Sequence, residues 1–455
     1  MRGNSFVAVL AAALLCAGGL AVRLRLGSEF TNLAGDGKQY VHLAESLLEH
    51  GRYAYAPPPA PLTSARLPGY PLFLAAIGRL AKPFDTARTV LWTVRVQALL
   101  DVLTALFALL VAGELGLRAP RWLALLLCLA SPLLAVCVTY ILTETLAILL
   151  TTATVWLLLR AGRTGGVMEM GLAGALLGLG LLVRADTVTL VPCLLVPMLL
   201  GRARLRSVLF AAAVAWLVFS PWPIRNAVQF GALTPWGAQW VNRQGEPLPT
   251  GTQEWLRTWV ADPFPIVSIA WGMAYGRWVS LSDVPAYAYD SPEERRRVDR
   301  IMNDYNRSRT ITPAIDQALR ELATERCTRR PLDCWVRLPW QRAKRLWLDP
   351  PPEWEIPVES PTFGLPQGRA AWIPLHHHTL VLATAGFLLL LFLSRGRAFA
   401  VLVATAALVR TVAVVYLVPG GTLRYLIELY PLLLVLVAVA LISPAELIWR
   451  RLSAV

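Results

Sequence analysis

The chain has 455 residues, of which 56% are hydrophobic, and a formal net charge of +14. Its mean hydropathy is +0.52. Apolar runs of about 18 residues recur, and each is long enough to cross the hydrocarbon core of a bilayer. These properties exclude an ordinary soluble globular domain. The positive charge does not indicate nucleic-acid binding, because the arginines concentrate in short connections between apolar runs.

The apolar runs predict an all-α polytopic membrane protein with about ten transmembrane helices. The predicted spans are 5–25, 88–114, 122–138, 142–160, 169–183, 186–201, 207–222, 376–394, 397–417 and 425–446. Arginines in short connections, such as Arg121, Arg160 and Arg204, all fall on one face, which the positive-inside rule makes cytoplasmic. We therefore expect an inner (plasma) membrane protein with both termini in the cytoplasm and an uncleaved first helix.

Two long segments, 26–87 and 223–375, are then left on the outer, periplasmic side. The predicted organisation is a transmembrane catalytic module over 1–222 with the first outer loop inside it, an outer loop region over 223–375, and C-terminal transmembrane helices over 376–455. In the outer region, Ser291-Pro292 and Thr312-Pro313 each combine a capping residue with a first-turn proline and so predict helix starts.

Two further stretches of the outer region predict helices on the membrane surface. The apolar run 264–276 is too short to cross a bilayer and is interpreted as a surface helix. After Pro331, Trp335, Leu338, Leu346 and Trp347 alternate with Arg337, Arg342, Lys344 and Arg345. This alternation predicts a basic interfacial helix lying among anionic lipid headgroups.

Asp36 is the leading catalytic candidate. It stands at the start of a short amphipathic segment beside the membrane, where a carboxylate can accept a proton from an incoming hydroxyl or amine. From the residues alone, a solvated loop acid or a helix cap explains it as well. Glu144 is a second candidate, because an ionisable residue near the outer end of a span usually faces a cavity. Asp101, near mid-membrane and six residues after Arg95, is expected to make an internal polar contact.

Four outer cations lie close to predicted helix ends and could hold a phosphate: Lys38, Arg66, Arg225 and Arg424. A guanidinium can contact phosphate through two parallel hydrogen bonds. Ordinary headgroup contact is the alternative for any of the four. Arg66 and Arg424 stand out because they lie in the distinctive local sequences RLPGYP and GGTLRYLIELYP.

Cysteines and histidines carry weaker signals. Cys327 and Cys334 lie in a polar stretch on the oxidising side and bracket a Thr-Arg-Arg-Pro turn, so a disulfide is expected rather than two free thiols. Adjacent His376, His377 and His378 point in different directions, and no acid or cysteine accompanies them. They are interpreted as an interfacial polar collar. No metal site and no cofactor is predicted.

Six segments resemble, in order, those of the GT-C superfamily of membrane glycosyltransferases, particularly the dolichyl-phosphate-mannose protein mannosyltransferases and the bacterial lipid A aminoarabinose transferases. They are GDGKQYVHLAESLLEHGRY, RLPGYPLFLA, TYILTETLAILL, GALLGLGLLVRADTVTLVP, SPWPIRNAVQFGAL and RYLIELYPLLLVL. The resemblance implies that Asp36 is the base and that Arg66 holds the phosphate of a polyprenyl-phosphate sugar. Tyr40 and Tyr70, which lie in the first two segments, are the expected substrate contacts.

Two positions depart from the family's pattern. Protein mannosyltransferases carry a second acid directly after the first, and here Gly37 occupies that place. Aminoarabinose transferases carry lysine and paired prolines where this chain has Arg66, Leu67 and Pro68. The sugar therefore stays open, and so does the acceptor, which could be a lipid, a glycan or a protein.

The sequence thus predicts an inverting glycosyltransferase that uses a polyprenyl-phosphate sugar at the outer face of the membrane. Its expected partners are this donor, its acceptor and membrane lipids. A transporter or lipid flippase is the first alternative, but it would predict paired half-structures and broken mid-membrane helices, which the sequence does not show. A non-catalytic envelope assembly factor that has kept the same fold is the second alternative.

Overall fold

The structure is a computed structural model. It describes residues 2–33, 35–80, 84–116, 119–199, 203–231, 233–235, 250–262, 266–274, 276–349, 369–393 and 396–452. Parts of the predicted outer region, 236–249 and 351–368, lie outside the described residues. Across the described ranges the fold is helical, and β-type pairing is limited to one parallel bridge between Asn32 and Tyr140.

The described part of the chain contains the following α-helices. In chain order they are α1 (Arg2–Glu29), α2 (Asp36–His50), α3 (Gly69–Gly78), α4 (Thr86–Glu114), α5 (Ala119–Ala130), α6 (Pro132–Cys137), α7 (Glu144–Thr164), α8 (Val167–Val183), α9 (Val196–Leu199), α10 (Leu205–Phe219), α11 (Pro221–Phe230), α12 (Thr250–Arg257), α13 (Trp271–Ala274), α14 (Pro292–Ser308), α15 (Pro313–Arg329), α16 (Leu338–Leu348), α17 (Arg369–Leu391), α18 (Gly396–Leu417) and α19 (Tyr430–Leu452).

The all-α polytopic membrane architecture is confirmed. By length and composition, α1, α4, α7, α17 and α18 can each cross a membrane. Helices α10 and α11, bent by 43° at their junction, pass the same test as a pair. Each of the ten predicted spans overlaps a helical segment. A crossing by all ten stays a prediction, because several of these segments are shorter than a bilayer requires.

The C-terminal helices pack against the N-terminal helices. Helix α4 packs against α5 and α7, and α8 lies between α7 and α10. Helix α19 packs against α17 and also returns to α5 and α4. One continuous apolar core therefore links the two ends of the chain. As a result, the segment just before α19 lies beside the start of α7.

Asp101 makes the internal contact that the sequence predicted, but its partner is Arg23 rather than Arg95. Both side chains of the ion pair are buried, at 0% exposure for Arg23 and 2% for Asp101. Arg23 also donates to the carbonyls of Cys128 and Leu129 at the end of α5. Carbonyls in the last turn of a helix lack partners within that helix, and here the Arg23 guanidinium bonds to two of them. Arg23 therefore joins α1, α4 and α5 at one point.

The outer region has a hydrophobic core of its own, built around Trp255, Trp259, Met302 and other buried residues of α12 to α15. The helix starts predicted at Ser291-Pro292 and Thr312-Pro313 are confirmed, and both hydroxyls cap the backbone. The surface helix predicted for 264–276 is wrong. Ile269 and Met273 are buried in this core, because the apolar run supplies part of its interior. Residues 264, 265 and 275 lie outside the described part.

Helix α16 differs from the predicted interfacial helix in two respects, because Arg342 and Leu346 are both buried within the protein. Trp335, in the turn before it, and Trp340 are largely exposed, as expected, whereas Arg342 is buried. The Arg342 guanidinium donates to the carbonyls of Val260 at 2.8 Å and Val415 at 3.1 Å. Arg342 therefore joins the outer region to the end of α18 instead of facing headgroups. A periodic pattern could not reveal this, since the acceptors are backbone atoms remote in the sequence.

The structure describes both the predicted disulfide and the predicted histidine collar. The Sγ atoms of Cys327 and Cys334 are bonded, with 5.5 Å between the Cα atoms. His376 and His377 contact the carbonyls of Trp347 and Leu348, respectively. Within the described residues, no group of three or more His, Cys, Asp or Glu side chains is placed to hold a metal ion.

Candidate active site

Asp36 is held at the first turn of α2 by contacts with the segment that precedes α7. The Asn32 backbone bonds to both neighbours of Tyr140: its N–H donates to Thr139 and its carbonyl accepts from Ile141. Asp36 follows after a short turn. The bridge thus brings the carboxylate of the first outer loop to the end of the bundle where Glu144 begins α7.

The same close approach of α2 to the segment before α7 explains why a glycine, Gly37, follows Asp36. A Cβ atom at this position would lie 3.0 Å from the carbonyl oxygen of Ile141. That separation is tighter than ordinary van der Waals contact. A second acidic side chain after Asp36, as protein mannosyltransferases carry, would therefore push α2 away from the segment before α7.

Arg66 faces Asp36 from the loop that enters α3. Its Nη2 lies 2.5 Å from Oδ1 of Asp36, and its Nε donates to Oε1 of Gln39 at 2.9 Å. Gly69 allows the following helix to approach α8, because a Cβ there would come within 2.7 Å of the Leu182 carbonyl oxygen. The RLPGYP element thus docks α3 against the bundle and points its arginine at the carboxylate.

Arg424 joins Asp36 to Glu144. Its Nη2 lies 3.9 Å from Oδ2 of Asp36, and its Nε donates to Oε1 of Glu144. Arg424 comes from the turn Leu423–Tyr425 before α19. The packing of α19 against the first helices therefore brings these residues together from opposite ends of the chain.

Further charged side chains contact Glu144 on its buried side. Arg184 donates to Glu144 at 2.8 Å and pairs with Asp186 at 3.1 Å and Glu428 at 2.7 Å. Arg410 in α18 pairs with Glu428 and lies 3.8 Å from Asp186. We call the whole set the ion network: it consists of Asp36, Arg66, Glu144, Arg184, Asp186, Arg410, Arg424 and Glu428.

The ion network has a buried base and an accessible tip. It holds four arginines and four carboxylates, so its formal charges balance. Glu428 and Arg410 are fully buried and Glu144 is 3% exposed. At the tip, Asp36 is 24% exposed, Arg424 is 23% and Arg66 is 11%. Because the buried charges fix their neighbours, the three tip residues are held in place while still open to a substrate.

Three other predicted site residues, Lys38, Tyr40 and Tyr70, lie in α2 and α3 beside the tip. The Tyr40 ring lies 5.6 Å from the Arg66 guanidinium and packs edge-to-face on Tyr70. Burial raises the pKa of the Tyr40 phenol, so it stays neutral. Tyr70 is fully buried and donates to Gln97 at 2.7 Å. Lys38 is exposed and lies two residues after Asp36, so it is on a different face of α2. The structure gives both tyrosines a supporting position, and their contact with substrate stays a prediction.

Arg225, like Lys38, is a predicted cation that the structure does not bring into the ion network. It stacks against the rings of Tyr53, Trp222 and Phe230. It also donates to the Thr63 carbonyl at 2.8 Å. These contacts join the first outer loop to α11. The arrangement indicates a structural role for Arg225, and phosphate binding by it stays a prediction.

Sequence reasoning did not assign Arg184, Asp186, Arg410 and Glu428 to the site. Arg410 was visible as an ionisable residue inside an apolar span, which is a signal of function or of an internal partner. Its partners could not be identified, because Asp186 and Glu428 come from two other segments. Only the packing of α18 and α19 on the earlier helices brings them together.

Comparisons with known proteins agree with this architecture. A family model described as dolichyl-phosphate-mannose-protein mannosyltransferase matches residues 69–224. The archaeal oligosaccharyltransferase AglB from Archaeoglobus fulgidus, in complex with an inhibitory peptide and a dolichol-phosphate, has 13% identity and a TM-score of 0.53 over 98% of this chain and 52% of its own. The chain has the GT-C fold of membrane glycosyltransferases.

Other solved structures are similar. The Archaeoglobus fulgidus oligosaccharyltransferase tethered to an acceptor peptide has 13% identity and a TM-score of 0.51, covering 94% of this chain and 49% of that one. ArnT from Cupriavidus metallidurans, bound to undecaprenyl phosphate, has 14% identity and a TM-score of 0.43, covering 95% and 78%. The chain spans about half the length of the archaeal enzymes. No curated protein matches the sequence.

Proposed function

We propose that this protein transfers a sugar from a polyprenyl-phosphate donor to an acceptor at the outer face of the inner membrane. The observation that carries the proposal is the tip of the ion network, where one carboxylate, Asp36, lies between the guanidinium groups of Arg66 and Arg424. A base and phosphate-binding cations are the groups that such a transfer requires, and here they share one accessible position.

The similar proteins support the donor class. The matching family is described by dolichyl-phosphate-mannose, and the AglB structure holds a dolichol-phosphate. In this chain, the donor phosphate would bind Arg66 and Arg424, with Lys38 nearby. Guanidinium groups suit this task because they remain charged and present paired donors to phosphate oxygens. The lipid tail would then lie among the apolar helices.

The transfer would be a single displacement with inversion. The acceptor's O–H or N–H proton passes to Asp36 as the acceptor atom forms a bond to the anomeric carbon. The bond from that carbon to the phosphate oxygen breaks, and its electron pair stays on the polyprenyl phosphate. Since the phosphate gains negative charge as it departs, Arg66 and Arg424 stabilise the transition state more than the bound donor.

The pairing of Arg66 with Asp36 links donor binding to activation of the base. In the structure, the Arg66 guanidinium donates to both Gln39 and Asp36. A phosphate at this position would compete with Asp36 for the guanidinium. The carboxylate would then lose part of its ion pair and become a better proton acceptor when donor is present.

We expect substitutions of Arg66 to distinguish the effect of its positive charge from the effect of its paired hydrogen-bond donors. Arg66→Ala should lower donor affinity and turnover together, because the phosphate is charged in the ground state and becomes more charged on departure. Arg66→Lys should restore part of both, since lysine keeps the charge but not the paired donors. Donor affinity would be measured with a polyprenyl-phosphate sugar on the purified proteins, and turnover by release of polyprenyl phosphate.

Arg25→Ala is the matched control, because Arg25 is an exposed arginine near the end of α1 whose partner is Glu29. It should bind and turn over donor like the wild type. Equal donor affinity in wild type and Arg66→Ala would show that Arg66 does not hold the phosphate.

The orientation is tested separately. Residues 223–375 are expected outside and the connection after α7 inside, because arginines concentrate on the latter face. In a protein otherwise free of reactive thiols, a single cysteine near Asp290 should react with a membrane-impermeant reagent added to intact cells. A cysteine near Arg163 should react only after permeabilisation. The reverse pattern would place the proposed site on the cytoplasmic side.

The activity itself is tested with purified protein in vesicles, a radiolabelled polyprenyl-phosphate sugar and an extract of cell-envelope material as the source of acceptor. We expect label to move from the lipid fraction to a new product. Mass spectrometry of envelope glycans and glycoproteins, with and without the protein in the cell, would identify that product. Donor that is bound but never consumed with any envelope fraction would favour the non-catalytic alternative.

A further inference from the structure

The outer region contains a cavity that the ion network does not use. Its volume is about 430 Å³. Its lining combines two aromatic side chains, four arginines, two aspartates and a glutamine with a few smaller residues. The aromatic residues are Trp259 and Tyr287. We call this cavity the outer pocket.

Two structural devices fix the walls of the outer pocket. Arg326 is 8% exposed and pairs with Asp290 at 3.2 Å, while its Nη2 donates to the Tyr287 carbonyl at 3.1 Å. The disulfide joins Cys334, which lines the pocket, to Cys327 beside Arg326. The Tyr287 ring is 59% exposed even though its backbone is held in this way. The pocket is therefore preformed, with an aromatic face open to a ligand.

The charged side chains of the lining indicate an anionic ligand. Arg330 is 52% exposed and Arg337 is 74% exposed. Both approach the same carboxylate, Asp333. Arg345 pairs with Asp262 at 2.5 Å. Arg330 also lies 3.4 Å from Asp290, so the lining arginines are paired with carboxylates and do not form an unpaired excess of charge. A guanidinium presents several N–H donors, and such groups beside an aromatic face suit a ligand that has both a flat apolar side and an acidic group.

A saccharide with a carboxylate or phosphate group meets these requirements. Its C–H face can pack on the Tyr287 ring, its hydroxyls can bond to Gln341 and Asp333, and its acidic group can bond to the arginines. A peptide of acidic residues would satisfy the arginines but would leave the aromatic face without a comparable partner.

Helix α16 connects the outer pocket to the proposed active site. Leu338, Gln341 and Arg345 lie on its pocket face at helical spacing. The same helix also packs on the turn Leu423–Tyr425, and its Leu346 side chain is fully buried. That turn carries Arg424. One short helix therefore contacts both sites.

Resting on the proposed function, we infer that the outer pocket binds an acidic saccharide portion of the acceptor. It would hold the acceptor on the outer region while a more distant hydroxyl reaches Asp36. Arg330 and Arg337 are the binding residues, Tyr287 is the stacking surface, and Arg326 is a positioning residue that acts through the Tyr287 backbone.

The test measures direct binding to the full-length protein in lipid nanodiscs, using trigalacturonic acid as the probe and maltotriose as its neutral counterpart. We expect saturable binding of trigalacturonic acid. Arg330→Gln and Arg337→Gln should each weaken it about tenfold, as loss of a charge-assisted hydrogen bond predicts. Maltotriose should bind more weakly than trigalacturonic acid and respond less to either substitution.

Arg307→Gln is the control, since Arg307 is an 80% exposed arginine outside the pocket that pairs with Asp304. It should bind like the wild type. Three results would overturn the inference: unchanged binding in both pocket variants, equal affinity for a triglutamate peptide, or equal affinity for inorganic phosphate. Repeating the measurement in Asp36→Asn separates the two proposals, because pocket binding should persist there while transfer is lost.

Discussion

Asp36→Asn is expected to abolish measurable sugar transfer while leaving the fold and donor binding intact. The amide keeps the shape of the side chain and can still accept a hydrogen bond from Arg66, but it cannot take the acceptor's proton. Loss of a general base costs about 10²- to 10⁴-fold in rate. Donor affinity should not fall, because the substitution removes a negative charge beside the proposed phosphate site. Single-turnover transfer and donor binding on the same preparations would measure both effects.

Glu45→Gln is the matched control. It makes the same carboxylate-to-amide change in α2, at a side chain that is 45% exposed and lies close only to His42 among the ion pairs of the described residues. It should retain wild-type transfer. If Asp36→Asn also retained wild-type turnover, Asp36 would not be the base. Glu144 would then be the next residue to test, because Arg424 joins it to the same tip.

Arg23→Ala is expected to have the largest effect on stability. The substitution would leave the Asp101 carboxylate buried without its partner, and it would remove the donors to the Cys128 and Leu129 carbonyls. Breaking a buried ion pair by removing one partner costs about 3–5 kcal/mol. The loss should appear as a marked fall in the unfolding temperature in detergent and in the yield of folded protein.

The double variant Arg23→Leu/Asp101→Leu provides the internal comparison. Since both buried charges are then gone, much of the stability should return, and the remaining deficit should reflect the loss of the Arg23 hydrogen bonds to the Cys128 and Leu129 carbonyls. An Arg23→Ala variant as stable as the wild type would show that Asp101 becomes neutral, or finds water, at little cost. Neither variant touches the ion network, so donor binding by the folded fraction should be preserved.

The helix caps and the docking of α3 against α8 show where prediction from the sequence succeeds and where it fails. The caps at Ser291 and Thr312 and the apolar spans were predictable because their causes lie within a few residues: a hydroxyl facing a free N–H, or about 18 apolar residues in succession. The RLPGYP element was recognisable for the same reason. Its function in docking α3 was not, since the Leu182 carbonyl that requires Gly69 is more than a hundred residues away.

The sequence by itself determined the membrane character, the helical class, the resemblance to GT-C glycosyltransferases and the candidates Asp36, Arg66, Glu144 and Arg424. These follow from local composition and from motifs of a few residues. Only the tertiary structure decided which charges meet. A buried charge without a partner is costly, so the buried Arg184, Arg410 and Glu428 require partners. Those partners belong to segments that only helix packing brings together. The same packing turned Arg342 inward, held Arg225 among aromatic rings and formed the outer pocket, and no periodicity in the chain encodes those contacts.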